Sequence, residues 1–293
     1  MARYEYRLVD VFTARRFGGN PLAVFPDAAD LAAADMQAIA RELNLSETTF
    51  VLPSPRSDCD YQVRIFTPRT EMPMAGHPTI GTAFVLQPAV RVVFLEGVGP
   101  IAVERTTTAA GAVQWWMTQP LPAFGGHATD RAAAAALLGI STGDLDPALP
   151  VEVVSTGAPF LFVPLRDRDV LGRVRVVAAA SADVPQLRDA YGVFCFTTDS
   201  GDPRLSVRSR MFAPWVGVAE DPATGSGSGA LGAYLVRYGM VPAGTPARLL
   251  SLQGVEMGRP SEIHIEVIGA PEAISGIRVG GECVAVGGGY MEL

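Results

Sequence analysis

The sequence predicts an α+β fold of two pseudo-symmetric halves, each a curved sheet wrapped around one central helix. Three observations carry this expectation. A phrase recurs: Arg64-Ile-Phe-Thr-Pro68 returns as Arg210-Met-Phe-Ala-Pro214, and Glu71-Met-Pro73 returns as Glu220-Asp-Pro222. The spacing of about 150 residues is too long for a solenoid unit and suits a duplicated domain. Each copy is followed by a short helical stretch, Pro78–Leu86 and Gly229–Val236, apolar almost all round with Gly81, Ala83, Gly232 and Ala233 mixed in. A helix without a polar face is buried on every side, and small residues let strands approach it. Strand-like segments, finally, far outnumber helical ones.

The elements follow in order. Tyr4–Phe12 and Leu22–Phe25 are predicted strands around a turn at Phe17-Gly-Gly-Asn-Pro21. Asp30–Leu43 is a predicted helix, with Met36, Ile39 and Leu43 on one stripe, Asp30 as N-cap and Asn44 as its end. Leu45–Leu52 alternates as a strand that puts Glu47 on the face of Leu45, Thr49 and Val51. Further strands are Tyr61–Thr67, Val90–Glu96, Ile101–Thr106 and Val113–Thr118. Gln119-Pro-Leu-Pro-Ala-Phe-Gly-Gly126 has linker composition. Beyond it lie a helix at Asp130–Leu138, strands at Val151–Ser155 and Phe160–Val163, and a helix near Ser181–Tyr191. Strands at Val193–Thr197 and Leu205–Phe212 lead to the second repeat helix, and strands at Ala247–Gln253, Glu262–Ile268, Gly276–Gly280 and Glu282–Val286 complete the chain. The halves are expected at 1–118, with 280–293 returning to it, and 119–279.

Composition removes several function classes. The 293 residues carry a net charge of −7, which argues against nucleic acid and against an anionic membrane surface. All 23 basic residues are arginine. Without a lysine amine, Schiff-base chemistry and the lysine of a Walker phosphate loop are out. Cys59, Cys195 and Cys283 are isolated, and His77, His127 and His264 form no paired spacing, so no metal site is indicated. The start of the chain is charged and strand-like, and no apolar run nears the roughly 20 residues of a spanning helix. A soluble, cytoplasmic protein is expected.

The chemistry is expected at the two repeat helices. Pro78 suits a first helical position, with Gly76 and His77 at the entrance. Thr224-Gly-Ser-Gly-Ser-Gly229 serves the second helix. A helix start offers free amides and a partial positive charge, so Gly76 on one side and Gly225 and Ser226 on the other can grip a small carboxylate. Two such starts facing each other would also stabilise an enolate-like intermediate. Gly225-Ser-Gly-Ser-Gly-Ala230 fits a dinucleotide fingerprint only formally, because no strand ends against the glycines. Spacing alone favours a solvent-facing Glu47. An inward Glu47 would instead be a general base and acid. His77 either caps its helix or carries a second proton. Asp221 either caps the second helix or orients His77 or the substrate. His127 is read as linker and His264 as strand.

These residues sit in segments that together resemble the PhzF family of phenazine-biosynthesis-like isomerases. The segments are Val9-Asp-Val-Phe-Thr13, Gly19-Asn-Pro-Leu-Ala-Val-Phe25, Leu43-Asn-Leu-Ser-Glu-Thr48, the two copies of the repeat, Met74-Ala-Gly-His-Pro-Thr-Ile-Gly-Thr82 and Ser155-Thr-Gly-Ala-Pro159. The resemblance implies the diaminopimelate epimerase-like fold, with two barrel-like halves and an active site in the cleft between them. It implies a cofactor-independent enzyme, commonly a homodimer, acting on a small carboxylate. In the phenazine enzyme the Ser-Glu-Thr glutamate shuttles a proton during isomerisation of trans-2,3-dihydro-3-hydroxyanthranilate, and here that glutamate is Glu47. The resemblance likewise gives His77 and Asp221 catalytic roles, and Gly76, Gly225 and Ser226 the pocket wall. Two alternatives remain. One is an epimerase or racemase of a small amino or hydroxy acid, against which His77 and Ser226 stand where related racemases carry cysteines. The other is a non-catalytic small-acid binder.

Overall fold

The computed structural model describes residues 2–128, 130–241 and 246–293. The chain divides into two compact units, Met1–Thr118 with Val279–Leu293, and Gln119–Arg278.

The first unit contains β1 (Arg3–Val11), β2 (Asn20–Phe25), α1 (Ala33–Leu43), β3 (Glu47–Pro53), β4 (Tyr61–Phe66), β5 (Glu71–Met72), α2 (Gly76–Leu86), β6 (Arg91–Glu96), β7 (Gly99–Thr107) and β8 (Val113–Gln119). The pairing runs β1 antiparallel to β2, β2 parallel to β3, β3 antiparallel to β4, β4 parallel to β6, and β6 antiparallel to β7. β5 hangs antiparallel on β4. Phe25, Phe50 and Phe66 pack on Met36, Ile39 and Ala40 of α1. On the opposite face lies α2, where Thr82 of the helix bonds Thr49 of β3 at 2.9 Å. The strands are therefore covered on both faces.

The second unit contains β9 (Ala123–His127), α3 (Arg131–Leu137), β10 (Glu152–Ser155), β11 (Pro159–Pro164), α4 (Arg168–Arg173), β12 (Gly192–Thr197), β13 (Val207–Ala213), β14 (Val218–Asp221), α5 (Gly225–Arg237), β15 (Ala247–Gln253) and β16 (Ser261–Ala270). Its pairings repeat those of the first unit in sense and order. β10 is antiparallel to β11, β11 parallel to β12, β12 antiparallel to β13, β13 parallel to β15, and β15 antiparallel to β16, with β14 on β13. The duplication thus covers the strands before the repeated phrase as well as the phrase itself. β17 (Ala273–Gly281) leads to β18 (Cys283–Glu292), which pairs with β1.

Both repeat helices are buried, α5 at every position from Gly225 to Val236. Two of their glycines stand where a Cβ would crowd neighbouring strands. A Cβ on Gly81 would stand 2.5 Å from Leu22 Cδ2, and one on Gly232 would stand 2.5 Å from Ile265 Cγ2.

The structure departs from the sequence expectations at five places. The expected linker holds the end of β8 and most of β9, which pairs with β10, so His127 is a strand residue. α2 and α5 begin earlier than predicted, so Gly76, His77, Gly225 and Ser226 lie within the first helical turns. Pro78 is the third residue of its helix, where its missing N–H still costs nothing. α1 begins at Ala33 without a side-chain cap, not at an Asp30 cap, although Asn44 does end it in the left-handed conformation. In place of a helix at Ser181–Tyr191 there are two 3₁₀ turns, Ala178–Asp183 and Pro185–Arg188. Pro185 removes the amide that a continuous helix would need. Finally, β3 does not alternate. Its first five residues are all buried, because α1 and α2 cover its two faces.

Candidate active site

Three elements of the first unit converge on one polar cluster. The parallel pair β2 and β3 opens in register, with Leu22 opposite Glu47. Asn20 and Glu47 therefore start neighbouring strands at the same end. The first turn of α2 brings His77 to them. Glu47 is 8% exposed and His77 3%, so the solvent-facing alternative for Glu47 does not hold. The amide Nδ2 of Asn20 lies 3.0 Å from His77 Nδ1, and His77 Nε2 lies 3.5 Å from Glu47 Oε2.

Burial pushes the His77 imidazole down to about 3, because an apolar surrounding penalises the charged form. The ring is neutral at ordinary pH. With the Asn20 amide donating to Nδ1, the single ring proton sits on Nε2 and points at the Glu47 carboxylate. The gap is longer than a good hydrogen bond, as expected of a site that tightens on its ligand. The cluster can therefore do acid and base work: a buried carboxylate can accept a proton beside a neutral imidazole 3.5 Å away. Gly76, one residue earlier, is the first residue of α2. The first amides of a helix have no intrahelical acceptor, and Gly76 is among them.

In the second unit Asp221 ends β14 and is buried. Its Oδ2 accepts the Thr224 hydroxyl at 2.6 Å. Gln253 donates to the Asp221 carbonyl at 2.8 Å and to Thr224 Oγ1 at 3.0 Å, and accepts the Thr224 amide at 3.0 Å. Asp221 thus contacts the N-cap residue of α5 through the Thr224 hydroxyl. Gly225 and Ser226 are the first two residues of α5, and their carbonyls accept hydrogen bonds from Gln119 Nε2 at 2.9 Å and Thr156 Oγ1 at 3.0 Å. That frame holds the helix start rigid.

Sequence reasoning passed over Asn20, which fixes the tautomer of His77, because Asn-Pro reads as turn chemistry. It also passed over Gln119 and Gln253, whose polar side chains carry no motif, and gave Thr156 no role although its segment was noted. His127 lies at the end of β9, 3.2 Å from the buried Glu152. No group of metal-binding side chains occurs among the described residues, and no helix among them is long and apolar enough to cross a membrane. The cysteines lie before β4, in β12 and in β18, and none is in the first turn of α2 or α5.

The sequence matches the family described as phenazine biosynthesis-like protein over residues 9–289. The chain belongs to this family. It is 40% identical to trans-2,3-dihydro-3-hydroxyanthranilate isomerase of Pseudomonas aeruginosa, over 99% of this chain and 100% of that one. The crystal structure of a PhzF-family phenazine biosynthesis protein from Bacillus anthracis superposes with a TM-score of 0.91 at 26% identity, covering 100% of both chains. A hydroxyproline epimerase from Agrobacterium vitis shares the fold, with a TM-score of 0.65 at 13% identity over 98% of this chain and 92% of that one. The architecture of this phenazine biosynthesis-like chain is accordingly the α+β, diaminopimelate epimerase-like one.

Proposed function

We propose that this chain is a cofactor-independent isomerase that moves a proton within a small cyclic carboxylic acid, trans-2,3-dihydro-3-hydroxyanthranilate being the foremost candidate. The observation that carries the mechanism is the buried pair of Glu47 and neutral His77. Glu47 removes a proton from a substrate carbon, the electron pair delocalises into the adjoining unsaturated system, and the same carboxyl returns the proton to another carbon. No atom is gained or lost. His77, held by Asn20, hydrogen-bonds the Glu47 carboxylate through Nε2–H and keeps it aimed. The helix starts are proposed as carboxylate-binding positions, Gly76 at α2 and Gly225 with Ser226 at α5, and Asp221 as an assisting group. The relatives bearing the isomerase name, at about 40% identity along the whole chain, support this substrate. A homodimer in the cytoplasm belongs to the same proposal.

The test is turnover of trans-2,3-dihydro-3-hydroxyanthranilate by the wild type and by Glu47→Gln, run in D₂O. The proposal expects a shifted double bond, with isotope at the receiving carbon, and loss of turnover in the variant. Isotope at an inverted stereocentre without a bond shift would make the chain an epimerase. Binding without any exchange would make it a non-catalytic acid-binding protein.

A further inference from the structure

Glu96, at the end of β6, is a further buried carboxyl of the first unit beside Glu47 and Asp10, 5% exposed. It meets the first turn of α2 through Thr79, two residues beyond His77. The Thr79 hydroxyl has one hydrogen and two close oxygens: the Ala75 carbonyl at 2.6 Å and Glu96 Oε1. Ala75 is the N-cap residue of α2. In the second unit, Ser228 stands where Thr79 does and donates to the N-cap carbonyl of Thr224 at 2.9 Å. If Thr79 does the same, its oxygen is left as an acceptor, and the hydrogen shared with Glu96 has to come from Glu96.

The strand register shows which residue stands opposite Glu96 in the duplicate. Gln62 of β4 pairs with Leu95, and Arg208 of β13 pairs with Leu252. The next residues, Glu96 and Gln253, are equivalent. Gln253 makes its contacts at the start of α5 with a neutral amide, donating to Thr224 Oγ1. One structural position thus carries a neutral donor in the second unit and a carboxyl in the first.

We infer that Glu96 is a positioning residue held as the neutral carboxylic acid, whose O–H donates to Thr79 and fixes the turn of α2 that carries His77. This inference rests on the proposed function for its catalytic consequence but not for its protonation state. The surroundings agree with it. Across β7 the partner of Glu96 is Gly99. The first turn of α2 has no acidic residue, and the segment Pro73–Ala75 before it is uncharged. His77, in that turn, is neutral. Burial pushes the Glu96 carboxyl up to about 8, with the Thr79 contact opposing it. Ionisation would place an uncompensated charge in the core and remove the donor.

The sign of the linkage follows. The folded protein holds the proton from the ordinary glutamate range up to about pH 8, whereas the unfolded chain releases it near 4.5. Wild-type stability attributable to Glu96 therefore falls as pH rises from about 4.5 to 8 and is level above that.

The experiment is thermal unfolding of wild type and Glu96→Gln across pH 4 to 9, with turnover measured alongside. The expected result is a difference in Tm, variant minus wild type, that grows through this range and then levels. The variant should keep turnover at pH 7 and lose a falling limb near pH 8 seen in the wild type. A pH-independent difference in Tm would overturn the inference. If the variant does not fold, ¹³C-carboxyl glutamate NMR of the wild type decides: one carboxyl titrating near pH 8 upholds it, and all titrating below 6 overturns it. A wild type inactive on the proposed substrate would sink the functional proposal while leaving the thermal and NMR results to stand on their own.

Discussion

The two units share one set of strand pairings but differ in what they carry. The pair β2 and β3 opens with Leu22 opposite Glu47, and the pair β11 and β12 opens with Phe160 opposite Gly192. Glu47 and Gly192 are therefore equivalent positions. A Cβ on Gly192 would lie 2.8 Å from the Phe212 carbonyl and 3.0 Å from Met211 Sδ. The second unit has no room for a side chain where the first places its carboxylate. The same contrast recurs nearby: His77 against Ser226, and Glu96 against Gln253. At these three positions the titratable group lies in the first copy and a neutral residue in the second, while Asp221 is the buried carboxylate of the second copy.

A shared ion pair shows the difference in another way. Arg64 and Glu71 form two hydrogen bonds, both at 2.7 Å, and Arg210 and Glu220 form two at 2.7 and 2.9 Å. The Arg64 side chain is 23% exposed and that of Arg210 4%. Arg210 also donates to the carbonyls of Leu171 and Val174 at the end of α4. The buried pair is the one with extra donors and acceptors around it, as desolvation requires.

The sharpest way to break the comparison is Glu47→Gln, expected to lower turnover about 10³-fold or more in a steady-state assay while leaving Tm nearly unchanged. A variant with near wild-type turnover would put the base elsewhere. The next effect is on acid stability. Because His77 is neutral in the folded protein down to about pH 3 and the unfolded ring protonates near 6.5, its contribution is present above 6.5 and is lost as pH falls towards 3. His77→Gln should flatten that part of a Tm-against-pH curve, opposite in sign to the Glu96 effect. Arg210→Ala is expected to cost about 3 kcal/mol in denaturant unfolding, since it strands Glu220 and opens the α4 carbonyls. Gly192→Val should cost about 2 kcal/mol by overpacking against backbone. Arg64→Ala, the exposed counterpart, should cost about 0.5 kcal/mol. Equal costs at Arg64 and Arg210 would erase the asymmetry between the ion pairs.

Much of the scaffold was legible in the sequence. Arg-Ile-Phe-Thr-Pro and Arg-Met-Phe-Ala-Pro mark the same strand in both units, and the stripe-free apolar composition marks the buried helices. The burial of Glu47 was not legible, because alternation assumes one wet face and β3 has none. The equivalence of Glu47 with Gly192, and of Glu96 with Gln253, was hidden for a different reason. Loops of unequal length separate these positions from the repeated phrase, so only strand register relates them. Side-chain frames such as Gln119 with Thr156 leave no periodic trace, since hydrogen-bond partners distant in sequence obey no spacing.

The glycine opening β12 bears on the history of the chain. With main chain and a methionine sulfur closed over that position, no single codon change can restore an acid there without moving the neighbouring strand. An acid substituted at Gly192 would have to displace the Phe212 carbonyl, so the second unit cannot hold at that place the group that Glu47 holds in the first.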